Sequence, residues 1–498
     1  MFFQKSLYRT SIAKTVLIGI FIGILTGCIS TNKEEQAKPN LLFILLDDLG
    51  KEWISIYGAE DIETPVVDQL ARSGMLFNNA YSMPQCTPSR VALMTGQYPW
   101  RNGWINHYDV PRWGHGAHFD PEEYPSLART MKEAGYVTCA AGKWQINDFR
   151  LDPEVMVKHG FDEYCMWTGA EGGNLPMSQK RYWDPYIHTA EGSRIYPGQF
   201  GEDIFSDFIV DFMRRHRDEP MMIYYPMCLP HGPLTTTPLD PDITDNMEKH
   251  KAMVRYTDFI LEKLLFSLEE LGIRDETIVF WTTDNGTSGR IIGHRNERAV
   301  RGGKTYLTEN GINAPFIVNC PGMVPGGVVS EALVDFSDIL PTFASLGGGK
   351  LSEGHIIDGQ SFAEVILGKS KLSSREWILG MGSHPAMIKE GRVVPTFEFR
   401  DRAIRNEKYK VFIDTNRQIS ALFDLENDPW EEHNLMLEEI EELQNIKNKF
   451  REFSMQFPDE DAVPRYTPLE GSIYNIEESD LNKIARDGMR RPNRSPDI

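Results

Sequence analysis

Four apolar runs, each followed closely by polar side chains, constrain the fold of this 498-residue chain more than any other feature. They are Leu41–Leu46 before Asp47-Asp48, Tyr136–Ala141 before Gly142-Lys143, Met221–Tyr225 before Pro230-His231, and Thr277–Thr282 before Asp284-Asn285. Continuous apolar runs are typical of strands buried on both faces, as in a parallel sheet. The sequence therefore predicts four strands in the core of one sheet.

Helical patterns separate these runs. They cover Val66–Ser73, Ser126–Ala134, Asp203–Arg215 and Glu248–Leu271. Strands that alternate with helices predict an α/β sandwich, in which ligands bind beyond the carboxyl ends of the strands. Because all four runs place Asp, Lys, His or Asn at that end, we expect these side chains to form an active site on one rim.

The neighbouring acids Asp47 and Asp48 indicate a metal site. Two carboxylates 4 Å apart repel each other by about 4 kcal/mol at an effective dielectric constant of 20, and a divalent cation or a shared proton would relieve the repulsion. Asp284 and Asn285 add oxygen ligands from another strand end, and an all-oxygen set suits Ca²⁺ or Mg²⁺ rather than Zn²⁺. The alternative is that the acidic pair caps a following helix.

The segment from Cys86 to Arg90 opens a predicted helix that continues through Val91–Met94. Pro88 suits an early helical position, and a helix N-terminus favours an anion and lowers the pKa of a thiol. Arg90 offers a planar cation for an oxyanion. From residue types alone, Cys86 is either a thiolate nucleophile or a buried thiol.

The first residues form an export signal. Residues 1–27 carry three cations, no acid and an apolar stretch that is too short to span a bilayer comfortably. The segment ends in Leu25-Thr26-Gly27-Cys28, which resembles a bacterial lipobox. We predict a lipoprotein signal peptide over 1–27, lipidation of Cys28 and a flexible tether over 28–39, so that a lipid alone anchors the exported protein at a bacterial membrane, facing the periplasm or at the cell surface. A plain signal peptide or an uncleaved anchor is the alternative.

The charge balance argues against nucleic-acid binding, because 72 acidic residues outnumber 52 Lys and Arg and give a formal net charge of −20. An anionic substrate would then need locally concentrated cations. Six cysteines are too few for a disulfide scaffold. Cys139 and Cys228 are predicted to be buried thiols, and the state of Cys165 and Cys320 stays open.

The Cys86–Arg90 segment matches the Cys-x-Pro-x-Arg signature of formylglycine-dependent sulfatases, and the chain resembles this type I sulfatase family of the alkaline phosphatase superfamily. Further motifs follow in the order of the family: Thr95–Pro99, Gly142–Trp144, Pro230–Pro233, Thr283–Gly286, Arg301–Lys304 and Ala421–Pro429. The resemblance implies an alkaline-phosphatase-like α/β sandwich with a large, mixed and mostly parallel central sheet, plus a smaller C-terminal α+β domain with an antiparallel sheet. We assign 40–370 to the catalytic domain, 371–470 to the C-terminal subdomain and 471–498 to a basic tail.

The resemblance also implies roles for individual residues. A maturase is expected to oxidise Cys86 to Cα-formylglycine, whose hydrated form attacks sulfur with one hydroxyl and expels sulfate by collapse of the second. Asp47, Asp48, Asp284 and Asn285 match the ligands of Ca²⁺ (Mg²⁺ is possible), with modified Cys86 near the same ion. Arg90, Lys143 and Lys304 would neutralise charge on the sulfuryl group, Asp284 would act as base, and His231 with Lys304 would protonate the leaving alcohol.

Gln145 departs from the family pattern, which usually has His two residues after the lysine of Gly-Lys-Trp. An amide cannot titrate, so either His294 or His107 supplies the missing function or turnover is slow.

The substrate is predicted from analogy and from aromatic residues that could stack on sugars. The candidate contacts are His107, Trp113, His115, Gln145, His294 and Arg295. We predict sulfate esters of polysaccharides or their oligosaccharides as the substrate. The alternatives are a phosphonate monoester hydrolase or phosphodiesterase of the same superfamily, an inactive glycan-binding lipoprotein, and a thiol-dependent hydrolase that uses unmodified Cys86.

Overall fold

The computed structural model describes residues 38–104, 119–147, 149, 152–167, 180–383, 386–389, 392–395 and 397–463. The predicted signal peptide, Cys28, nearly all of the tether, His107, Trp113, His115 and the basic tail lie outside the described residues. Within the described ranges, every helix is either too short or too polar to cross a bilayer.

Strands and helices are numbered in chain order. The strands are β1 (Asn40–Leu46), β2 (Met75–Tyr81), β3 (Val137–Lys143), β4 (Glu163–Trp167), β5 (Tyr186–Thr189), β6 (Gly192–Ile195), β7 (Met221–Pro226), β8 (Thr277–Thr283), β9 (Ile292–Arg295), β10 (Arg298–Arg301), β11 (Asn313–Asn319), β12 (Val328–Ser330), β13 (Val334–Asp335), β14 (Ile378–Met381), β15 (Ala386–Lys389), β16 (Arg392–Pro395), β17 (Arg402–Arg405), β18 (Tyr409–Ile413) and β19 (Ile419–Asp424).

The α-helices are α1 (Pro65–Arg72), α2 (Cys86–Thr95), α3 (Pro99–Asn102), α4 (Leu127–Glu133), α5 (Val155–His159), α6 (Gly201–Arg215), α7 (Asn246–Glu270), α8 (Glu309–Ile312), α9 (Ile339–Gly347), α10 (Ala363–Ile366) and α11 (Glu441–Ser454). Short 3₁₀ helices cover Lys51–Trp53, Ser55–Tyr57, Arg274–Glu276, Phe336–Asp338 and Leu435–Leu437.

The central sheet has the strand order β12-β2-β11-β8-β1-β7-β3-β4-β5-β6, and β13 pairs with β2. The four predicted apolar runs form β1, β3, β7 and β8, which are adjacent and parallel in the order β8-β1-β7-β3. Antiparallel pairing enters where β11 joins β8 and β2, and where β5 joins β4 and β6. The sheet is therefore mixed and mostly parallel, and the carboxyl ends of the four runs share one rim.

Strand β1 is buried on both faces, as its apolar sequence requires. Leu41, Phe43 and Leu45 point into one hydrophobic core, and the alternate residues of the strand point into a second core on the other face. All six residues from Leu41 to Leu46 have no exposed surface, and full burial of each such side chain contributes about 1.5–3 kcal/mol. The sheet is therefore packed between two hydrophobic cores, which fixes the position of the rim.

The C-terminal part forms an antiparallel sheet in the order β14-β17-β18-β19, and helix α11 packs on it through Leu443 and Phe450. The sequence pattern favours a helix from Glu431, but this start is wrong, since α11 begins at Glu441. Asn434 instead accepts a hydrogen bond from the Met436 N–H and closes a single 3₁₀ turn. Leu437 is 92% exposed, so this stretch has no apolar face to pack as a helix. The domain boundaries at 370 and 470 stay predictions.

Candidate functional site

The loop after β1 holds two buried carboxylates. Asp48 adopts a backbone φ of 66°, in the left-handed region that Asp tolerates better than most residues. The Asp47 N–H donates to the Leu229 carbonyl at 2.9 Å, and the Asp48 N–H donates to Asp284 Oδ1 at 3.1 Å. Gly50, rather than an aspartate, precedes the following 3₁₀ helix, and no side chain caps it. The two acids therefore do not serve as helix caps.

Helix α2 brings Cys86 to the same rim. Gln85 precedes the helix in an extended conformation, and α2 begins at Cys86 as the sequence predicts. The Ser89 hydroxyl donates to the Asp284 carbonyl at 2.6 Å and accepts from the Met83 N–H at 3.1 Å. Because these bonds tie the first turn of α2 to the end of β8, the thiol is fixed beside the acidic loop.

Arg90 connects three of the four strand ends. Its Nη2 and Nε donate to Asp284 Oδ2 at 2.7 and 3.2 Å, and its Nη1 donates to the Lys143 carbonyl at 3.0 Å. Its Nη2 also lies 3.7 Å from Asp47 Oδ1. The guanidinium and both carboxylates are buried, so this contact is charge-assisted and little screened by water.

Two lysines compensate the acidic pair. Lys143 Nζ donates to Asp47 Oδ2 at 2.6 Å. Lys304 Nζ lies 2.6 Å from Asp48 Oδ1 and 2.7 Å from Oδ2. Lys304 Nζ is also 3.7 Å from Cys86 Sγ. A charged lysine therefore lies beside the thiol, and it is itself paired with the Asp48 carboxylate.

His231 lies on the other side of Asp48, with its Nε2 3.5 Å from Asp48 Oδ2. Its Nδ1 is 2.6 Å from the Gly232 carbonyl and 3.2 Å from Arg181 Nη1. The buried Glu202 carboxylate holds the preceding loop by accepting from the Cys228 and Leu229 N–H groups at 2.7 and 3.2 Å. Glu202 is thus the anchor of the segment that presents His231.

The sequence analysis missed Arg181. Its guanidinium stacks 4.1 Å from the Trp167 ring centroid, contacts His231 and lies 4.0 Å from Asp47 Oδ2. Arg181 comes from a segment without a motif, between β4 and β5, so only the folded chain brings it to the rim.

The pKa values of the acids follow from burial and from their partners. Burial alone would raise the pKa of Asp47, but Lys143, His231 and Arg90 outweigh it and lower the pKa. For Asp48, burial is outweighed chiefly by Lys304, and the pKa is also lowered. Both carboxylates are therefore anionic near neutral pH.

The pKa values of the remaining titratable groups of the rim shift in both directions. Burial and the charge of Asp47 raise the pKa of Asp284 to about 7, in spite of Arg90. Burial lowers the pKa of His231 to about 3. Burial also raises the pKa of the Cys86 thiol, although the positive charges of Lys143 and Lys304 oppose this rise. Burial would lower the pKa of Lys304, but Asp48 outweighs burial and raises it. The resting rim thus combines neutral His231 and a protonated thiol with a charged Lys304.

The donor set fits a hard divalent cation. One ligand atom each from Asp47, Asp48, Cys86 and His231 lies within 4.8 Å of the others. Asp47 Oδ1 and Asn285 Oδ1 are buried and lack a hydrogen-bond partner among the described residues, as expected for oxygens that face an ion. Asn285 Nδ2 donates to Asp48 Oδ1 at 2.8 Å, which keeps the amide in the cluster. Asp284 adjoins the cluster, with its carboxylate held by Arg90 and by the Asp48 N–H.

The predicted substrate contacts are dispersed. Gln145 follows β3 with φ 65° and is buried, and its Oε1 has no hydrogen-bond partner in the part of the chain that the structure covers. The polar contacts of His294 and Arg295 go to Asp61 and to the Tyr57 carbonyl rather than to Cys86 or its neighbours. Both of these residues lie on β9.

Burial distinguishes the possible roles of the aromatic and cysteine side chains. Among the described aromatic residues between positions 100 and 200, Trp104, Trp167 and Tyr182 are buried, which suits a core role, whereas Trp183 and Tyr186 are partly exposed. All five described cysteines are buried, free thiols, which confirms this prediction for Cys139 and Cys228 and extends it to Cys165 and Cys320.

Family models match most of the chain. The sulfatase model matches residues 39–349, and a model described as N-sulphoglucosamine sulphohydrolase, C-terminal, matches residues 303–456. Among curated relatives, N-acetylgalactosamine-6-sulfatase of Canis lupus familiaris is 31% identical over 362 residues, covering 66% of this chain and 66% of the relative. Arylsulfatase A of Bos taurus is 26% identical over 498 residues, covering 86% of this chain and 91% of the relative.

The chain spans about two thirds of the length of the first of these relatives. Among solved structures, Ps i-CgsB superposes with a TM-score of 0.71 at 25% identity, covering 91% of this chain and 98% of that one. Another crystal structure contains Ps i-CgsB in complex with k-i-k-neocarrahexaose. The structural match confirms the predicted α/β fold with its mixed central sheet and C-terminal antiparallel sheet.

Proposed function

The chain belongs to the sulfatase family, a family of sulfuric ester hydrolases, and from this premise we propose that it releases sulfate from sulfated polysaccharides or their oligosaccharides. The observation that carries the proposal is the buried rim cluster in which Asp47, Asp48, Cys86 and His231 come within 4.8 Å of one another. The names of the curated relatives, and the complex of Ps i-CgsB with k-i-k-neocarrahexaose, support a sulfated sugar as the substrate class.

Cys86 is the proposed nucleophilic position. Oxidation of its side chain to formylglycine by a maturase would supply a hydrated aldehyde whose hydroxyl attacks sulfur. The raised pKa of the buried thiol weighs against the alternative of an unmodified thiolate nucleophile, because a protonated thiol attacks poorly. Asp284, with a pKa raised to about 7, suits proton transfer near neutral pH.

The cations of the rim are proposed to stabilise charge that develops on the sulfuryl group. Lys304 Nζ is 3.7 Å from Cys86 Sγ, Lys143 ends β3, and Arg90 of α2 donates to the Lys143 carbonyl. Fixed donors in a buried site need no reorganisation as charge develops, and loss of one such donor costs about 10²–10³-fold in rate. A bound sulfate ester adds an anion beside neutral His231, which favours its protonation and hence proton donation to the leaving alcohol.

Asp47, Asp48, Asp284 and Asn285, with Cys86 beside them, are the residues that would hold Ca²⁺ or Mg²⁺. The cation would polarise a sulfate oxygen and lower the pKa of the nucleophile. The two orphaned oxygens, Asp47 Oδ1 and Asn285 Oδ1, support this assignment.

The protein is also proposed to be exported and anchored by lipid. The residues before Lys38 support a lipoprotein held by lipid at Cys28, so that the enzyme acts on glycans outside the cytoplasm. Metabolic labelling with radioactive palmitate tests this, since label should enter the full-length protein and be lost in Cys28→Ala. Label in both proteins, or in neither, would contradict the anchor.

The proposed activity is tested by ion chromatography of sulfate released from defined sulfated oligosaccharides by full-length, matured protein. Sulfate release that exceeds phosphonate and phosphodiester hydrolysis supports the sulfatase. A faster reaction with phenylphosphonate esters would favour the phosphonate hydrolase of the same superfamily. Oligosaccharide binding without release, after mass spectrometry has shown oxidised Cys86, would identify an inactive glycan-binding protein instead.

A further inference from the structure

A second concave region, apart from Cys86, lies between the central sheet and the C-terminal sheet. It has a volume of about 1130 Å³. We name it the second cleft and define it by its lining residues Lys51, Arg295, Arg301, Arg405 and Trp430. None of Asp47, Asp48, Cys86, His231 or Lys304 lines it. It is thus a separate cavity from the rim.

Four of the five basic residues that line the second cleft have no carboxylate within 4.0 Å among the described residues, whereas the fifth, Lys408, pairs with Asp424 and Glu426. Lys51 is 6% exposed, and its Nζ donates to the Asn78 carbonyl at 2.8 Å and to Asn313 Oδ1 at 2.6 Å. Both acceptors are uncharged, and an ammonium has three N–H donors, so one has no acceptor among the described residues. Burial lowers the pKa of Lys51 to about 7, and an anion bound beside the amine would favour its charged form.

Arg405 is also buried and bonds only to uncharged groups. It is 5% exposed, and it donates to Asn79 Oδ1 at 2.9 Å and to the Asn406 and Glu407 carbonyls at 2.8 Å. Its remaining contact is with the Tyr81 hydroxyl. Arginine is always charged in proteins, so this positive charge persists in the cleft.

Two further arginines of the second cleft also donate to uncharged groups. Arg295 Nε donates to the Tyr57 carbonyl at 2.8 Å, and Arg301 Nη1 donates to the Gly289 carbonyl at 2.9 Å. Neither lies within 4.0 Å of a carboxylate in the part of the chain described here. Four of the five basic residues of the cleft are therefore without an ion pair among the described residues, in a chain with a net charge of −20.

Six glutamates also line the cleft, and none of them lies within 4.0 Å of Lys51, Arg295, Arg301 or Arg405. Glu309 and Glu431 share the buried Lys410, at 3.0 and 2.7 Å. Glu331 accepts from the side-chain amides of Asn78 and Asn79 at 2.6 and 3.1 Å. These acids leave the four unpaired cations available to an incoming anion.

Trp430 adds an aromatic surface to this charge. Its ring centroid lies 5.6 Å from the Arg295 guanidinium and 5.5 Å from that of Arg298, and the residue is half-buried. An indole held in this way presents a flat apolar surface of the kind that stacks on a sugar face. Cations together with an aromatic face suit a sulfated sugar better than a simple inorganic anion.

We propose that the second cleft binds a sulfated stretch of the glycan substrate at a distance from the ester that is hydrolysed. The inference rests on the proposed function for the identity of the ligand, but its site is independent of the rim. Two chain segments connect the sites, because Lys51 follows Asp48 by three residues and Gly303, which lines the cleft, directly precedes Lys304. Glycan length, as well as the sugar at the scissile ester, would then contribute to affinity.

The test is isothermal titration of the full chain carrying Cys86→Ala, so that no ligand is consumed. The probes are a chondroitin 6-sulfate hexasaccharide, a κ-carrageenan hexasaccharide, their desulfated counterparts and sodium sulfate. We expect at least one sulfated hexasaccharide to bind, its desulfated form to bind at least tenfold more weakly, and added NaCl to weaken binding. The double change Arg301→Gln with Trp430→Ala, and separately Lys51→Met, should each raise Kd about tenfold or more.

The matched control is Arg214→Gln, which removes an exposed arginine of α6 that does not line the cleft and should change Kd less than twofold. If Lys51→Met does not fold, the double variant decides, since Arg301 is exposed and Trp430 half-buried. Unchanged affinity in the cleft variants, or sodium sulfate that binds as tightly as the hexasaccharide, would overturn the inference. Sulfate release by the active protein is scored separately, so its absence would count against the proposed function and not against the cleft.

Discussion

The rim and the second cleft both concentrate cations in an acidic protein, but they treat them in opposite ways. At the rim, Lys143, Lys304 and Arg90 each contact a buried carboxylate at 2.6–2.7 Å. In the cleft, Lys51 and Arg405 donate only to uncharged oxygens. Each of these rim cations is therefore compensated by a carboxylate before any ligand binds, whereas four basic residues of the cleft have no carboxylate within 4.0 Å.

This contrast indicates that the rim and the second cleft have different functions. Paired charges in a buried cluster hold each other in place, as a site that must position a few atoms for chemistry requires. Unpaired charges beside an aromatic ring attract an anionic ligand without fixing one reacting atom. The same chain thus separates chemistry from the recognition of a longer substrate.

The largest effect is expected from removal of the proposed nucleophile at the rim. Cys86→Ala should reduce sulfate release about 10⁴-fold or more, because the group that attacks sulfur is lost. The control is Cys320→Ala, which removes a buried thiol after β11 and should retain activity. Ion chromatography of released sulfate measures both, and comparable activity in the two variants would show that the chemistry takes place elsewhere.

The second prediction compares one lysine from each region. Lys143→Met leaves Asp47 as a buried charge without its 2.6 Å partner and should lower the free energy of unfolding by about 3–5 kcal/mol. Lys51→Met leaves two neutral acceptors unsatisfied and should cost about 1–3 kcal/mol. Urea titrations in EDTA measure the free energy of unfolding of both variants with no divalent cation present to compensate the charge of Asp47. Equal costs would mean that charge pairing does not distinguish the rim from the cleft.

The third prediction concerns Glu202, the anchor behind the rim. Burial raises the pKa of Glu202 from 4.5 to about 7. Between pH 4.5 and 7 its side chain is therefore protonated in the folded state and ionised in the unfolded state. Stability from this group is therefore complete below pH 4.5 and is lost as the pH rises towards 7, by about 3 kcal/mol. Glu202→Gln should remove this decline while keeping acceptors for the Cys228 and Leu229 N–H groups. Unfolding titrations from pH 4.5 to 8 that fall equally in both proteins would contradict it.

The smallest effect is expected at Gln145. Its Oε1 has no hydrogen-bond partner in the described part of the chain, and His tolerates the left-handed backbone. Gln145→His should leave the rate of sulfate release within about threefold of wild type, and Gln145→Leu is the matched control without polar atoms. A complete loss in Gln145→His would instead show that the amide is specifically adapted to this site.

The rim was predictable because its members follow strands whose apolar runs are visible in the sequence. Four such runs could only be buried as neighbours, and their parallel pairing brings Asp47, Lys143, His231 and Asp284 together. The family motif added Cys86 and Lys304. Arg181 was not predictable, since no pattern near it shows that its guanidinium would reach His231.

The second cleft could not be read from the sequence for a related reason. Its lining residues come from segments between Lys51 and Glu431, and each lysine or arginine resembles a solvated surface residue when considered alone. Only the packing of the C-terminal sheet beside β2 and β11 shows that these cations have no carboxylate partners. The start of α11 was placed ten residues too early because the charged residues before Glu441 resemble a continuation of the helix, and the sequence does not show that Asn434 closes a 3₁₀ turn there.

The central claim is that oxidised Cys86 performs the reaction at the rim. The most direct measurement is the rate of sulfate release across preparations with different degrees of maturation, against the fraction of Cys86 converted to formylglycine by peptide mass spectrometry. The account predicts a rate proportional to that fraction, with no release when all of Cys86 is thiol. Equal rates in fully thiol and fully converted preparations would contradict it.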